Sequence, residues 1–157
     1  MSLLETGELA SVPRGSLLSR RETVTSYLPQ AGGLLPKWQL IVAFMAFFNA
    51  AQNFATLKLT RRIYGNVAPQ LVTGLQARTF AVWTILSGVV RLYAAYNINL
   101  KIIYDLTLFT YLFAFAHFGS ELLIFRTASL GLGALSPVVV STVSLTWMIM
   151  QYDFYVQ

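Results

Sequence analysis

Four long apolar runs dominate the pattern of hydrophobic and polar positions along this chain. They cover about residues 38–57, 77–96, 102–125 and 136–152, and polar or basic residues flank them. A helix of about 20 residues crosses the hydrocarbon core of a bilayer while satisfying its backbone hydrogen bonds internally. The pattern therefore predicts an all-α integral membrane protein, built as a bundle of about four transmembrane helices.

The residues before and between these runs define the expected domain organisation. Residues 1–35 contain Pro13 and scattered charges but no continuous apolar core, so we predict a flexible or membrane-surface tail. Residues 36–157 are expected to form the four-helix transmembrane domain. Within it we expect a polar loop over 58–76. The fourth span is expected to begin at Ser136, with Pro137 in its first turn, or earlier, at Leu130.

Small residues recur at a spacing of four within the runs: Ala46 and Ala50, Thr84 and Gly88, and Ala116 and Ser120. This spacing places the small side chains on one helix face and lets two transmembrane helices approach closely. We therefore expect these pairs to mark contacts between helices, either within the chain or with a partner.

Composition and charge agree with a membrane protein. Hydrophobic residues make up 56% and charged residues 11%, where a soluble domain has about 25% charged residues. The net charge is +5, and its basic clusters, such as Lys58, Arg61 and Arg62, lie outside the apolar runs. Membrane lipids with anionic headgroups match this placement better than nucleic acid does. The absence of cysteine excludes disulfides and thiolate metal sites.

Ionisable residues inside or beside the runs need partners, because an unpaired charge in the bilayer is costly. If the second and third spans form a hairpin that turns near Ile98, Arg91 and Asp105 each lie seven residues from the turn. Arg78 and Glu121 then lie near the opposite surface. We predict two intramembrane polar pairs, Arg91 with Asp105 and Arg78 with Glu121, that fix helix register; a proton relay through the same groups is the alternative.

The single histidine, His117, lies four residues before Glu121 on one helix face. A transition-metal site normally draws on three or four ligands, so these two residues are too few. We predict that His117 is a structural polar residue, hydrogen-bonded to Glu121 or to a neighbouring helix. The Gly-x-Gly-x-x-Ser string over 131–136 follows no strand and predicts no dinucleotide site. No catalytic residue, cofactor or metal site is expected.

Two stretches of the chain, 75–96 and 104–127, resemble the fungal ergosterol biosynthetic protein 28 family. The specific strings are Arg-Thr-Phe-x-x-Trp-Thr in the first stretch and His-Phe-x-Ser-Glu in the second. The resemblance extends over about residues 34–156. The family's motifs map onto Arg78, Thr79, Trp83, Arg91, Tyr93, His117, Ser120 and Glu121.

The resemblance implies a non-catalytic, multi-pass protein of the endoplasmic reticulum membrane that acts as a homodimeric scaffold in ergosterol biosynthesis. Its implied partners are a C-4 methyl sterol oxidase, a C-4 decarboxylating sterol dehydrogenase and a 3-keto sterol reductase. The residues agree independently, because a chain with one histidine and no dinucleotide fold cannot supply an iron site or a nicotinamide site. Tethering would help those enzymes by raising their effective concentration.

Two other functions fit the same residues. One is a sterol or lipid-binding carrier, with a cavity lined by the aromatic residues Phe44, Phe48, Tyr93 and Phe115. The other is a proton-coupled transporter, with a path along the charged residues Arg91, Asp105 and Glu121.

Overall fold

The computed structural model describes residues 26–157, and within this range the chain has helices and no strands. The four predicted spans are confirmed as helices, each within four residues of its predicted ends. The helices are α1 (Leu35–Ala55), α2 (Lys58–Ile63), α3 (Gly74–Tyr96), α4 (Lys101–Leu123), α5 (Leu132–Met150) and α6 (Tyr152–Tyr155), with a 3₁₀ turn at Pro69–Leu71.

Three of the long helices, α3, α4 and α5, are long and apolar enough to cross a membrane. α1 has 21 residues and is not among them, because the amides Gln39, Asn49, Gln52 and Asn53 lower its mean hydropathy. The protein is therefore an all-α membrane protein with three spans by length and composition. A crossing by α1 stays a prediction.

Among the helices within residues 26–157, α1 and α3 share the most extensive contact. α1 buries Ala43, Ala46 and Ala50 along one face, and α3 buries Gly88. A Cβ atom built on Gly88 would lie 3.0 Å from Cε1 of Phe47 and 3.3 Å from Cβ of Ala46. Small residues here let the two backbones approach, as the spacing of four predicts.

The segment between α1 and α3 is more ordered than a simple polar loop, because it contains α2 and the 3₁₀ turn. It ends in a capping box: the Gln76 amide N–H donates to Oγ1 of Thr73 at 3.3 Å, and the Thr73 N–H donates to Oε1 of Gln76 at 2.8 Å. This reciprocal pair satisfies free donors at the start of α3.

The predicted position of Pro137 was wrong. α5 begins at Leu132, after Gly131 in an extended conformation, so Pro137 lies inside the helix. The start predicted at residue 136 was too late, because the preceding Gly-rich stretch resembles a loop, and the alternative start at Leu130 is nearer to the observed one. Proline is tolerated inside membrane helices when neighbouring groups compensate for the missing N–H.

The bundle has two different ends. At the first, which we name the closed end, Leu35, Ile98, Tyr104 and Tyr155 form a buried cluster where α1 begins and α3 turns into α4. Residues 26–34 contribute there, since Oη of Tyr155 donates to the Gly32 carbonyl at 2.7 Å. The predicted tail therefore contacts the bundle over its last residues, while residues 1–25 lie outside the described range.

Candidate functional site

A pocket of about 620 Å³ lies at the other end of the bundle, which we name the open end. It is bounded by α2, the segment that follows it, the start of α3 and the end of α4. Its polar lining residues are Thr60, Tyr64, Gln76, Thr79, His117, Glu121 and Thr127. Its apolar lining residues are Val67, Leu71, Val72, Leu75, Phe80 and Trp83.

Four residues of the sequence motifs line this pocket: Thr79, Trp83, His117 and Glu121. They come from two strings about 40 residues apart in the chain, and the antiparallel arrangement of α3 and α4 brings them together. Half of the eight motif residues therefore border one cavity, and the other half do not. Ser120 is half-buried outside the pocket lining, and its hydroxyl donates to the His117 carbonyl at 2.8 Å.

His117 is held from several sides at the pocket wall. Its Nε2 lies 2.8 Å from Oη of Tyr64, which caps the C-terminus of α2. The rings of Phe80 and Trp83 have their centroids 5.9 Å and 6.0 Å from the imidazole. Burial and the negative charge of Glu121 raise the pKa of Tyr64 well above its ordinary value, so the phenol stays protonated. The hydrogen-bond partner of His117 is thus a residue in the turn after α2, and neither Glu121 nor a residue within a neighbouring helix.

Glu121 is half-buried in the same wall and accepts a hydrogen bond from the Thr127 hydroxyl. The predicted pair with Arg78 was wrong. Arg78 lies at the same end of the bundle but is exposed on α3, and it forms no ion pair within residues 26–157. Similar depth is not sufficient for contact, because the helical phase points these two side chains to different surfaces.

Arg91 is buried, with 7% of its surface exposed. Its Nε donates to Oγ1 of Thr110 at 3.2 Å, and its Nη2 lies 3.4 Å from the Thr110 carbonyl. The guanidinium also lies 4.2 Å from the ring centroid of Tyr111, a cation–π contact. The hydroxyl of Tyr111 in turn donates to Oε1 of the fully buried Gln39 at 2.6 Å.

Asp105 has different partners from the predicted one. It pairs with Lys101 at 2.7 Å, one helical turn earlier, and accepts from Oη of Tyr152 at 2.8 Å. The predicted Arg91–Asp105 pair was therefore wrong, because Lys101 is the nearer cation and Arg91 reaches a deeper level of α4. The charges of the transporter hypothesis, Arg91, Asp105 and Glu121, lie in three separate environments.

A second cavity, of about 300 Å³, lies between α1, α3, α4 and α5 and shares Phe80 and Trp83 with the first. Phe48 lines it, as the carrier hypothesis expects. Phe44, Tyr93 and Phe115 line neither cavity and are exposed. The predicted aromatic lining was wrong because these rings face outward.

The pocket at the open end offers hydrogen-bond donors and acceptors at one wall and an apolar surface at the other. Within residues 26–157, no three His, Asp or Glu residues lie close enough together to hold a metal ion. The sequence analysis missed Tyr64, Leu71 and Leu75, which lie in or beside the expected polar loop. Only the two leucines carried a signal, as apolar residues in an otherwise polar segment.

Together these features define the class of the protein: an all-α integral membrane protein whose motif residues surround a pocket at one end of a helical bundle. The family model described as Erg28 like protein matches residues 35–146, and the chain belongs to this family.

Curated relatives extend the match over most of the chain. Ergosterol biosynthetic protein 28 of Candida albicans is 46% identical over 132 residues, covering 83% of this chain and 95% of the relative. Its namesake in Saccharomyces cerevisiae is 43% identical and covers 88% of this chain and 93% of the relative. The Homo sapiens homologue is 40% identical, with 74% and 83% covered. No solved structure matches the chain.

Proposed function

We propose that this protein is a non-catalytic membrane scaffold in ergosterol biosynthesis. It holds a C-4 methyl sterol oxidase, a C-4 decarboxylating sterol dehydrogenase and a 3-keto sterol reductase together at the endoplasmic reticulum membrane, as a homodimer. The names of the relatives, ergosterol biosynthetic protein 28, support the pathway. The apolar helices support the location in a membrane.

The distribution of polar and apolar side chains carries the proposal. Several buried polar residues of the bundle bond to one another, as in the contacts Trp38–Ser144, Gln39–Tyr111 and Arg91–Thr110. The outward faces carry large apolar residues, among them Val82, Leu86, Phe109, Phe113, Val139 and Val143. Such faces contact lipid or the transmembrane helices of other proteins.

A scaffold contributes to a reaction sequence by proximity. The proposal assigns the oxidation and reduction chemistry to the partner enzymes and assigns to this chain the surfaces that hold them. When two enzymes are tethered, the product of the first is present at a high effective concentration near the active site of the second. A hydrophobic intermediate then reaches the next enzyme before it diffuses away in the bilayer.

Affinity purification of the tagged protein in mild detergent tests the proposal. We expect the three sterol enzymes to be recovered with the wild-type protein, and we expect 4-methyl sterols to accumulate when the gene is deleted. The double variant Phe109→Ala/Phe113→Ala removes two stacked rings on α4, whose centroids are 6.2 Å apart. We expect it to lower enzyme recovery without lowering the melting temperature.

The double variant Val139→Ala/Val143→Ala removes apolar surface from the outward face of α5 and is the matched control. An enzyme whose recovery falls with one double variant and not with the other contacts the helix face that this variant alters. Recovery of folded wild-type protein without any of the three enzymes, together with a normal sterol profile after deletion, would refute the scaffold.

A further inference from the structure

We propose that the pocket at the open end binds a sterol, with the sterol hydroxyl at Glu121 and the ring system against Phe80, Trp83 and Leu75. The geometry alone indicates an apolar ligand with one polar end. The choice of a sterol rests on the proposed function, and no contact assigned to the scaffold depends on this pocket.

The polar wall of the pocket has hydrogen-bonding capacity to spare. Glu121 uses Oε2 to accept from Thr127, and its other carboxylate oxygen has no partner within residues 26–157. The Gln76 carbonyl oxygen accepts from Thr73, and its NH₂ group has no partner within the same range. A hydroxyl group both donates and accepts, so it complements a free carboxylate oxygen and a free amide NH₂.

The apolar wall matches the body of such a ligand. Phe80 and Trp83 meet edge to face with ring centroids 5.2 Å apart, which forms a fixed apolar surface. Leu71 and Leu75 are 63% and 69% exposed beside the cavity, and a bound apolar ligand would cover part of them. The volume of about 620 Å³ lies within the range of about 300–1,000 Å³ typical of small-molecule sites.

Position and charge favour a sterol over a phospholipid. The pocket lies where α3 begins and α4 ends, which is the level of a bilayer at which an amphiphile places its polar end. The carboxylate of Glu121 repels phosphate and carboxylate headgroups, whereas a neutral hydroxyl donates to it. The site therefore selects for an uncharged hydroxyl at the end of a rigid apolar body.

Equilibrium binding of a tritiated 3-hydroxy sterol to the full-length protein in detergent tests the proposal. We expect Leu75→Trp, which fills the pocket from an exposed position, to weaken binding at least about 10-fold. We expect Glu121→Gln to weaken it about 10-fold, because a hydrogen bond to a charged group is worth about 1.5 kcal/mol or more. Leu123→Trp is the matched control, since Leu123 is 76% exposed and does not line the pocket.

Competition defines the ligand class. An unlabelled 3-hydroxy sterol should displace the probe at least about 10-fold better than a phospholipid or a sterol carrying a carboxylate in place of the hydroxyl. Equal displacement by a phospholipid would overturn the assignment to sterols. Unchanged affinity in Leu75→Trp, with the variant melting at the wild-type temperature, would overturn the site even if Glu121→Gln fails to fold.

Different results would refute the sterol pocket and the scaffold. Enzyme recovery with Leu75→Trp at the wild-type level, together with lost sterol binding, supports a pocket distinct from the tethering faces. Sterol binding by a wild-type protein that recovers no enzymes would leave the pocket in place and refute the scaffold. Recovery of the enzymes by a wild-type protein that shows no measurable sterol binding would support the scaffold and refute the sterol pocket.

Discussion

The closed and open ends of the bundle use polar residues in opposite ways. At the closed end, polar side chains bond to one another inside a packed core: Oη of Tyr104 donates to the Met148 carbonyl at 2.6 Å, and Oη of Tyr111 donates to Gln39 at 2.6 Å. At the open end, His117 and Glu121 make similar bonds but at the wall of a cavity of about 620 Å³.

The two ends therefore differ in role: polar residues at the closed end stabilise the fold, and polar residues at the open end are available to a ligand. Polar groups that fill each other's hydrogen-bonding capacity fix helix positions and leave nothing for a ligand. Polar groups that border a cavity retain free oxygens and NH₂ groups. Because the polar groups of the closed end belong to a buried cluster and those of the open end border the larger cavity, substitutions should lower stability at the first and change binding at the second.

The largest difference is expected for Gly88→Leu, at the packed α1–α3 contact, against Gly119→Leu, near the open end. At Gly88 even a Cβ would lie 3.0 Å from Phe47, so a leucine must push α1 and α3 apart. We expect a loss of about 3 kcal/mol in stability, measured by thermal unfolding in detergent. Gly119 has no atom within 4 Å of its Cβ position, so its variant should melt near the wild-type temperature.

Both glycines lie inside helices, so the intrinsic preference for leucine over glycine is the same at the two sites. Any difference in melting temperature therefore reports packing alone. Equal melting temperatures would show that α1 and α3 are not in close contact and would remove the basis for the comparison.

An intermediate difference is expected for Tyr111→Phe against Tyr64→Phe. Within residues 26–157, the first removes the only hydrogen bond to Oε1 of Gln39, whose side chain is fully buried. An orphaned buried acceptor costs about 1–3 kcal/mol. The second removes the contact with Nε2 of His117, which is half-buried beside the pocket and is accessible to water there. We expect a smaller loss of stability for Tyr64→Phe in the same unfolding assay, and a larger loss than for Tyr111→Phe would contradict the model of two ends.

The helices were predictable from the sequence because each needed only an apolar run of sufficient length. The spacing of four also marked Ala46, Ala50, Thr84 and Gly88 as contact positions, but it did not indicate that α1 and α3 are the helices that meet. The pocket was not predictable, because its second wall comes from the segment after α2: Oη of Tyr64 lies 2.8 Å from Nε2 of His117, 53 positions further along the chain.

The ion pairs were not predictable from depth along the helices. Residues equidistant from a turn lie at one level, but the direction of each side chain follows from helical phase and from nearer competitors. Asp105 illustrates this, because Lys101 occupies the position one turn earlier on the same face of α4. A local partner at a spacing of four requires no particular tertiary arrangement.

The smallest effect is therefore expected for Asp105→Asn. Its partner Lys101 is exposed, and exposed ion pairs add little to stability because water and salt screen them. We expect the variant to melt within experimental error of the wild type at moderate salt, and equally in 1 M NaCl. If Asp105 instead paired with the buried Arg91, the substitution would leave a cation without its counter-charge inside the bundle and would lower the melting temperature strongly. A large decrease in melting temperature would support the Arg91–Asp105 pair. An unchanged melting temperature would support the contacts of Arg91 with Thr110 and Tyr111 instead.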